Sequence, residues 1–459
     1  MAKRKASPLK PLIEVDSIRD AARNLIQAVQ EEAASRALTP QAYGRATKRI
    51  ESLRGRPLLV PSLTSGAGRG ARVWLADGSM KLDFVSGIGV QVFGHGDPDL
   101  LETAVAAAAS DVVYQGHLTP GPEYLRLSQA LQRAGGPRLK HVWLSVSGAM
   151  ANENALKMIY QRHAPADHLV AFERCFHGRS AAMAEITDRP AFRDGQPLRG
   201  HVLYVPFYDP GDEHSTARSV AALESHLRRY PGRIAGMVFE IVQGEGGFRT
   251  APREFFAALM ACCKKAEIAV WVDEVQTFAR TGELFAYHTF ELDEYVDVVT
   301  LGKILQGSAA LFTRRYNPRP GLVAGTYAGN TVGMAVAARI IERLESEGYL
   351  GAEGRVAVLG RRLERRFEAL RKRAPRAVGE RSGMGAMQAF VPFDGSAAIA
   401  RKVLNFAFEE GLILLTAGER PTKLRMLPPL NVTDEELETG FSMLEKALGR
   451  VGEEHSTRC

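Results

Sequence analysis

The chain has 459 residues, 45% of them hydrophobic and 24% charged, and a formal net charge of +7. This composition is ordinary for a globular protein of two or three domains, and no apolar run approaches the roughly 18 residues of a membrane-spanning helix. The cysteines fit neither a disulfide framework nor a zinc spacing, which indicates a reducing cytoplasm and no metal site: Cys175, Cys262, Cys263 and Cys459.

Residues 1–60 are interpreted as a mobile tail followed by helix. The tail MAKRKASPLK is basic, but EVDSIRD follows it where a secretory signal would have an apolar core. A second basic stretch, RRLERRFEALRKR at 361–373, has its apolar residues on one stripe, as in a solvated amphipathic helix. Because no aromatic residues interleave with these charges, they do not indicate a groove for single-stranded nucleic acid.

A hairpin and an alternating region follow. The stretch RVWLADGSMKLDF at 72–84 contains two short alternating runs around Asp77-Gly78, which predicts a β-hairpin. From about 120 to 330, strand-like runs alternate with helical patterns such as EYLRLSQALQRA and REFFAALMACCKKA. The predicted strands are HVWLSV, HLVAFE, HVLYVPF, IAGMVFEIV, IAVWVDEV and DVVTLG. This alternation predicts an α/β fold with a doubly wound, mainly parallel sheet in residues 116–334, followed by a smaller domain.

Unusual side chains follow several of these strands, where open α/β sheets bind their ligands. Ser147, Gly148 and Ala149 directly precede a helical pattern, and N–H groups at such a helix start suit a phosphate. On its own, a turn of small residues before a helix is only weak support for that site. Asp273 ends one apolar strand and Lys303 ends another. We interpret both as parts of one ligand site.

A lysine in a water-poor cleft can lose its proton and form a Schiff base with an aldehyde, because burial lowers its pKa from about 10.4. If the aldehyde is pyridoxal 5'-phosphate, its pyridine nitrogen needs a buried carboxylate, for which Asp273 is placed. Gln276 could then hydrogen-bond the ring hydroxyl and Phe176 could stack on the ring. Singly, Asp273 could be a helix cap, Phe176 a core residue and Lys303 a surface lysine.

From about residue 70 to 445 the sequence resembles the class III, or ω-amino acid, aminotransferases, which are fold-type I pyridoxal-phosphate enzymes. The motifs that carry this resemblance, in order, are DGSMKLDFVSGIGVQVFGHGDP, SGAMANENALK, FHGRS, VQGEGG, VDEVQTFARTG, TLGK, GTYAGN and LRMLPPL. The resemblance implies a large cofactor-binding domain over 116–334 and a smaller α+β domain formed by residues 61–115 and 335–459.

The resemblance also implies roles for individual residues. Lys303 would carry the cofactor and move the substrate proton, with Asp273 on the pyridine nitrogen. The other cofactor contacts would come from Ser147, Gly148, Ala149, Phe176, Gln276 and Thr326. Because the family takes the threonine that matches Thr326 from a neighbouring subunit, a homodimer with shared active sites is implied.

Two arginines and one glutamate suggest how a single pocket accepts two substrates. Arg425 matches the family residue that binds the acceptor's α-carboxylate, and Arg179 matches one that binds the donor's distal carboxylate. Glu245 matches an acid that pairs with the first arginine and masks it, and a swinging glutamate can switch that charge on or off. The acceptor 2-oxoglutarate would engage both arginines. A purely structural ion pair is the alternative for either arginine.

Several positions depart from the family pattern. Met150 replaces a usual glutamate, Ile241 a common proline, and Ile304 the usual glycine after the lysine. The segment from Lys303 to Thr326 is short, which puts the shape of the pocket and of the subunit contact in question. Ile88 stands where ornithine aminotransferases have a tyrosine, so the sequence favours 4-aminobutyrate, N-acetylornithine or lysine over ornithine as donor.

The sequence therefore predicts an aminotransferase that moves the terminal amino group of an ω-amino acid to 2-oxoglutarate, giving a semialdehyde and glutamate. An aminomutase or a decarboxylase on the same fold is the alternative enzyme, against which the retention of Arg179, Arg425 and Glu245 argues. A non-catalytic nucleic-acid-binding protein is the alternative of another class, and it predicts salt-sensitive binding to DNA or RNA. No nucleic acid or membrane partner is expected.

Overall fold

A computed structural model of the chain describes residues 11–60, 62–110 and 118–456. The predicted basic tail at 1–10, the domain boundary predicted at 115 and Cys459 all lie outside the described residues. None of the helices in the described part of the chain is both long and apolar enough to cross a membrane.

The helices and strands alternate along most of the chain. The helices are α1 Asp16–Ser35, α2 Pro40–Arg54, α3 Ser86–Gly89, α4 Pro98–Ser110, α5 Pro122–Ala134, α6 Gly148–His163, α7 Ala181–Ile186, α8 Pro190–Arg193, α9 Ser215–Arg229, α10 Arg253–Lys265, α11 Ala286–Thr289, α12 Thr331–Ser346, α13 Arg355–Arg373, α14 Ala397–Glu410 and α15 Asp434–Ser456. The strands are β1 Thr64–Arg69, β2 Arg72–Leu75, β3 Met80–Asp83, β4 His141–Ser145, β5 His168–Phe172, β6 Val202–Val205, β7 Ile234–Phe239, β8 Ala269–Asp273, β9 Val298–Leu301, β10 Ser308–Phe312, β11 Val378–Met384, β12 Met387–Pro392, β13 Leu412–Ile413, β14 Leu415–Ala417 and β15 Lys423–Met426.

A seven-stranded sheet in the order β4-β10-β9-β8-β7-β5-β6 forms the centre of the molecule. Neighbouring strands from β9 to β6 pair in parallel, whereas β10 is antiparallel to both of its neighbours. All six predicted strands lie in this sheet, which confirms the α/β fold class. The run SAALF of β10 was not predicted, because a single short strand directly after a lysine turn carries little periodicity.

The sheet is a fully buried layer. Every residue of β5, β7, β8 and β9 is buried, as expected of parallel strands covered on both faces. Helix α6 packs against β7, β8, β9 and β10, and α10 packs against β8 and α9. Burial of each large aliphatic or aromatic side chain in such a core contributes about 1.5–3 kcal/mol.

Two four-stranded sheets complete the fold, in the orders β1-β2-β3-β13 and β11-β12-β15-β14. The predicted hairpin is confirmed, since β2 and β3 pair antiparallel. Strand β13, from the C-terminal part of the chain, adds in parallel to β3 with Leu412 opposite Leu82. The basic stretch at 361–373 lies on α13, whose buried stripe includes Leu363, Phe367 and Leu370.

The orientation of the strands defines the position of the site. Because β4, β5, β7, β8 and β9 run in the same direction, their carboxyl ends meet along one edge of the sheet. The segments that follow these five ends begin at residues 146, 173, 240, 274 and 302. The side chains that the sequence singled out are concentrated in these segments.

Candidate active site

Asp273 ends β8 and lies at the centre of this edge, only 6% exposed. Its Oδ1 accepts a hydrogen bond from the backbone N–H of Val275 at 3.0 Å. Its Oδ2 accepts two more, from Asn152 Nδ2 and from His177 Nδ1, both at 2.8 Å. Three hydrogen bonds fix the orientation of the carboxylate. A group that contacts a ligand at one defined position must be fixed in this way.

Asn152 and His177 were not predicted to hold Asp273. Asn152 lies on α6 and also donates to the carbonyl of His177 at 2.7 Å, so the two residues support each other. Burial by itself lowers the pKa of His177, but Cys175 and Asp273 together raise it above its ordinary value. An imidazole that bears positive charge would stabilise the Asp273 carboxylate, because opposite charges attract strongly in a buried site.

The second acid of the DEV motif has a different position from the first. Glu274 is fully buried and accepts hydrogen bonds from the Thr277 hydroxyl and from the N–H of Tyr287, the latter at 3.0 Å. Burial raises the pKa of Glu274 to about 7. Glu274 therefore connects the loop after β8 to α11 and does not face the cavity.

Glu240 at the end of β7 is a further acid that the sequence reasoning missed. Its two carboxyl oxygens accept from the N–H of Phe176 at 2.8 Å and of Gly244 at 3.1 Å. Burial raises its pKa to about 7, and the charge of Asp273 also raises it. Glu240 thereby joins two of the loops that line the cavity.

Helix α6 presents its N-terminus to the same cavity. The Ser147 hydroxyl caps the helix by accepting from the N–H of Met150 at 3.2 Å, and Gly148 and Ala149 line the cavity. A Cβ on Gly148 would lie 2.7 Å from a methyl of Val275, so only glycine fits this close approach. The unpaired N–H groups of a helix start suit a phosphate.

Lys303 follows β9, and its backbone has φ of +46°, an uncommon value for a residue other than glycine. Its side chain lines the cavity together with Asp273 and Gln276. Burial lowers the pKa of Lys303, and the positive charge of Arg425 lowers it further, whereas nearby carboxylates oppose the shift. The lysine can thus carry a neutral amine at lower pH than an exposed lysine.

Phe176 and Gln276 lie on the wall of the cavity. The Nε2 of Gln276 is buried and has no hydrogen-bond acceptor among the described residues. A Cβ on Gly244 would lie 1.7 Å from Gln276 Oε1, so the glycine makes room for this amide. The orphaned donor suits an anionic ring oxygen, and the ring of Phe176 is available to stack.

Arg425 on β15 is 4% exposed and lies beside Glu245, the last predicted acid on this wall. Its Nη1 is 2.6 Å from Glu245 Oε1, and the two side chains form an ion pair. The Nε of Arg425 is buried and has no hydrogen-bond acceptor among the described residues. A buried guanidinium can bind a substrate carboxylate through two parallel hydrogen bonds once its protein partner turns away.

Glu245 has a second cationic neighbour, Arg189, which the sequence reasoning did not single out. Arg189 Nη1 lies 3.1 Å from the carbonyl oxygen of Glu245 and 3.4 Å from its Oε2. Arg179 is exposed and outside the cavity, with its guanidinium 4.2 Å from the ring centre of Phe192. The guanidinium of Arg189 is 4.9 Å from the same ring.

Like Arg179 and Arg425, three further predicted residues lie outside the cavity lining. Ser147 is exposed and acts as the helix cap described above. Ile88 is half-buried in a left-handed turn in which Ser86, Gly87, Ile88 and Gly89 all have positive φ. Thr326 is exposed, and the adjacent Tyr327 is 62% exposed.

The residues present fit pyridoxal 5'-phosphate. A helix N-terminus faces the cavity for a phosphate, and a fixed carboxylate lies there for a pyridine nitrogen. An orphaned amide donor is available for a ring oxygen, and an amine of lowered pKa for an aldehyde.

Comparisons with known proteins agree with this chemistry. A family model described as aminotransferase class-III matches residues 59–448. Acetylornithine aminotransferase from Haemophilus ducreyi is 33% identical over 396 residues, covering 84% of this chain and 93% of that protein. 2-Aminoadipate transaminase from Pseudomonas putida is 31% identical over 432 residues, covering 87% and 99%. The structure of lysine aminotransferase from M. tuberculosis in the internal aldimine form has a TM-score of 0.80 and 25% identity, covering 90% of this chain and all of that chain.

Proposed function

The chain belongs to the class III aminotransferases, which are pyridoxal-phosphate enzymes, and on this premise we propose that it moves the terminal amino group of an ω-amino acid to 2-oxoglutarate. The products are a semialdehyde and glutamate. The observation that supports this proposal is the ion pair between the buried Arg425 and Glu245, because Glu245 lines the same cavity as Lys303.

The cofactor is held by residues at the strand ends. All five of these residues line the cavity: Gly148 and Ala149 would bind the phosphate, Asp273 the pyridine nitrogen, Gln276 the ring oxygen and Phe176 the ring face. When bound, pyridoxal phosphate supplies an aldehyde that accepts amino groups and a ring that withdraws electrons from the substrate carbon.

Lys303 is the residue that would carry the cofactor and move the proton. Its lowered pKa makes the neutral amine available, and a neutral amine is both the nucleophile and the base. Asp273, fixed by Asn152 and His177, keeps the opposite end of the site negatively charged. The amine and the carboxylate thus act from two ends of one cavity.

Arg425 and Glu245 allow two unlike substrates to use one pocket. With Glu245 on Arg425, the positive charge is masked and a donor can present its terminal amine. When the side chain of Glu245 turns away, Arg425 can bind the α-carboxylate of 2-oxoglutarate through two parallel hydrogen bonds. Arg179 is assigned to the distal carboxylate, although its side chain rests on Phe192 outside the cavity.

The donor is an ω-amino acid of the 4-aminobutyrate, N-acetylornithine or lysine type. The similarity to proteins named acetylornithine aminotransferase, 2-aminoadipate transaminase and lysine aminotransferase supports an amino acid of this kind. Ile88 offers no hydroxyl for a free α-amine, which argues against ornithine. One methylene in an apolar pocket discriminates by only about 1–3 kcal/mol, so the assay must decide among the three.

We infer a homodimer in which Thr326 completes the phosphate site of the partner subunit. The inference is supported by the exposure of Thr326 and of two large apolar side chains, since Tyr327 beside Thr326 is 62% exposed and Val146 beside Ser147 is 58% exposed. The three described cysteines are free, which supports a cytoplasmic location.

Glutamate formation tests the proposed function. The cofactor-loaded enzyme is incubated with 2-oxoglutarate and, in turn, 4-aminobutyrate, N-acetylornithine, lysine or ornithine. We expect glutamate in amounts equal to the semialdehyde with at least one of the first three. Carbon dioxide release, or an isomerised amino acid without glutamate, would instead establish a decarboxylase or an aminomutase.

A further inference from the structure

The carboxylate of Glu245 lies between two guanidinium groups. Its Oε1 is 2.6 Å from Arg425 Nη1, and its Oε2 is 3.4 Å from Arg189 Nη1. The same Nη1 is also 3.1 Å from the carbonyl oxygen of Glu245. Arg189 is therefore anchored to the backbone of the residue whose side chain it faces.

A cavity of about 740 Å³ opens on the Arg189 side of Glu245. Arg189, Glu245, Gly418 and Glu419 all line it, whereas Arg425 does not. Glu245 also lines the smaller cavity that contains Lys303. A side chain at the junction of two cavities has room to turn from one to the other without displacing packed neighbours.

Other contacts fix Arg189 in this position. Its Nη2 lies 3.4 Å from the carbonyl oxygen of Gly418, and its guanidinium is 4.9 Å from the ring centre of Phe192. Its Nε is 3.4 Å from Glu419 Oε1, a carboxylate that is 54% exposed and therefore a weak partner. The charge of Arg189 is therefore only weakly compensated, and Arg189 can pair with a carboxylate that is more deeply buried than Glu419.

The balance of charge favours such a partner. When the carboxylate of 2-oxoglutarate binds Arg425, Glu245 must leave, and a carboxylate that is only 18% exposed is more stable beside a second cation than without one. A short turn toward Arg189 keeps every charge compensated, since the substrate then neutralises Arg425 and Arg189 neutralises Glu245.

We propose that Arg189 is a positioning residue that receives the carboxylate of Glu245 when 2-oxoglutarate occupies Arg425. The inference rests on the proposed function and deepens it, because it states where the masking acid goes. In the structure, Glu245 is paired with Arg425, and its Oε2 is 3.4 Å from Arg189 Nη1. Arg189 stabilises the arrangement in which Glu245 has left Arg425 more than it stabilises this one. Its loss reduces the fraction of enzyme that can bind the acceptor and raises the apparent KM by the same factor.

The two half-reactions distinguish this role from a structural one. In Arg189→Gln we expect the KM for 2-oxoglutarate to rise about tenfold, with kcat/KM for the amino donor within about twofold of the wild type. Arg189→Lys keeps the positive charge and should recover part of the affinity. In a Glu245→Ala background, adding Arg189→Gln should change neither parameter, because no carboxylate is left to receive.

Arg193→Gln is the matched control. Arg193 lies four residues further along the same segment and contacts Asp188, Thr187 and Tyr204, not Glu245. Any effect of Arg193→Gln should therefore be of similar size in the donor and the acceptor half-reactions.

An equal loss in both half-reactions of Arg189→Gln, or an effect of Arg189→Gln that persists without Glu245, would overturn the inference. Failure of the wild type to form glutamate with any donor would instead remove the proposed function itself.

Discussion

Replacing Asn152 by alanine tests whether the support of Asp273 matters for the cofactor. The substitution removes two hydrogen bonds of Asn152 Nδ2, to Asp273 Oδ2 at 2.8 Å and to the His177 carbonyl at 2.7 Å. The first is to a charged group and contributes about 1.5–3 kcal/mol, and the second about 1 kcal/mol. We therefore expect Asn152→Ala to lower the free energy of unfolding by about 2–4 kcal/mol.

The same helix offers a matched control. Asn154 is 3% exposed and Asn152 is 1% exposed, but Asn154 donates to the Ser145 hydroxyl and does not contact Asp273. Only Asn152→Ala should affect the cofactor, because Asp273 loses one of the two donors that orient Oδ2. We expect the Kd for pyridoxal phosphate to rise about tenfold or more, which corresponds to roughly 1.4 kcal/mol.

The assay is a titration of the apoprotein with pyridoxal phosphate, followed by absorbance, beside urea unfolding of each variant. We expect both variants to lose stability but only Asn152→Ala to lose cofactor affinity. An unchanged Kd in Asn152→Ala, together with a stability loss like that of Asn154→Ala, would refute it. Asn152 would then be a packing residue only.

Three other expectations follow from the buried charges and the subunit contact. Because burial raises the pKa of Glu274 to about 7, the folded protein keeps a proton that the unfolded chain loses, and stability falls as pH rises from about 4.5 to 7. In urea unfolding, the free energy of unfolding of Glu274→Gln should fall by up to about 3 kcal/mol less than that of the wild type between these pH values. An equal dependence of the free energy of unfolding on pH in the two proteins would contradict the raised pKa of Glu274. The rate of cofactor uptake by the apoprotein should rise with pH, with its midpoint at the pKa of Lys303, which is lowered by burial and then by the charge of Arg425. Arg425→Met removes that charge and should therefore move the midpoint to higher pH. Mixing Lys303→Ala with Thr326→Glu should restore activity, toward about a quarter of the wild-type level for random dimers, whereas no recovery would argue against shared sites.

The main sheet could be predicted from the sequence because its strands are apolar on both faces. The run from Ile268 to Val272 is buried throughout, and the acid that ends it lies where polar groups first meet the site. Lys303 could be placed by the same reasoning. Since parallel strands bring their carboxyl ends together, the two residues were expected in one cavity, and both line it.

Side-chain contacts between distant segments could not be predicted in this way. Asn152 and Asp273 are 121 residues apart, and nothing in the helix pattern of α6 shows which of its polar residues turns inward. Arg189 follows a strand-end motif by several residues, so its contact with Glu245 depends on how the loop folds back. Contacts of this kind come from tertiary packing, which has no periodicity in the sequence.

Residues outside the cavity show a second limit. Thr326 and Arg179 were assigned to the site through the resemblance alone, and both are exposed in the single chain. For Thr326 this agrees with the proposed role in a partner subunit, which a single chain cannot display. Ile88 lies in a left-handed turn whose backbone no propensity predicts for a β-branched residue.

The most direct measurement follows the nitrogen atom. The cofactor-loaded enzyme is given 2-oxoglutarate and a donor with ¹⁵N in its terminal amino group, and the glutamate is analysed by mass spectrometry. We expect ¹⁵N-glutamate from the wild type and none from Lys303→Ala. Unlabelled glutamate, no glutamate, or equal label in Lys303→Ala would contradict the transfer of the terminal amino group through Lys303.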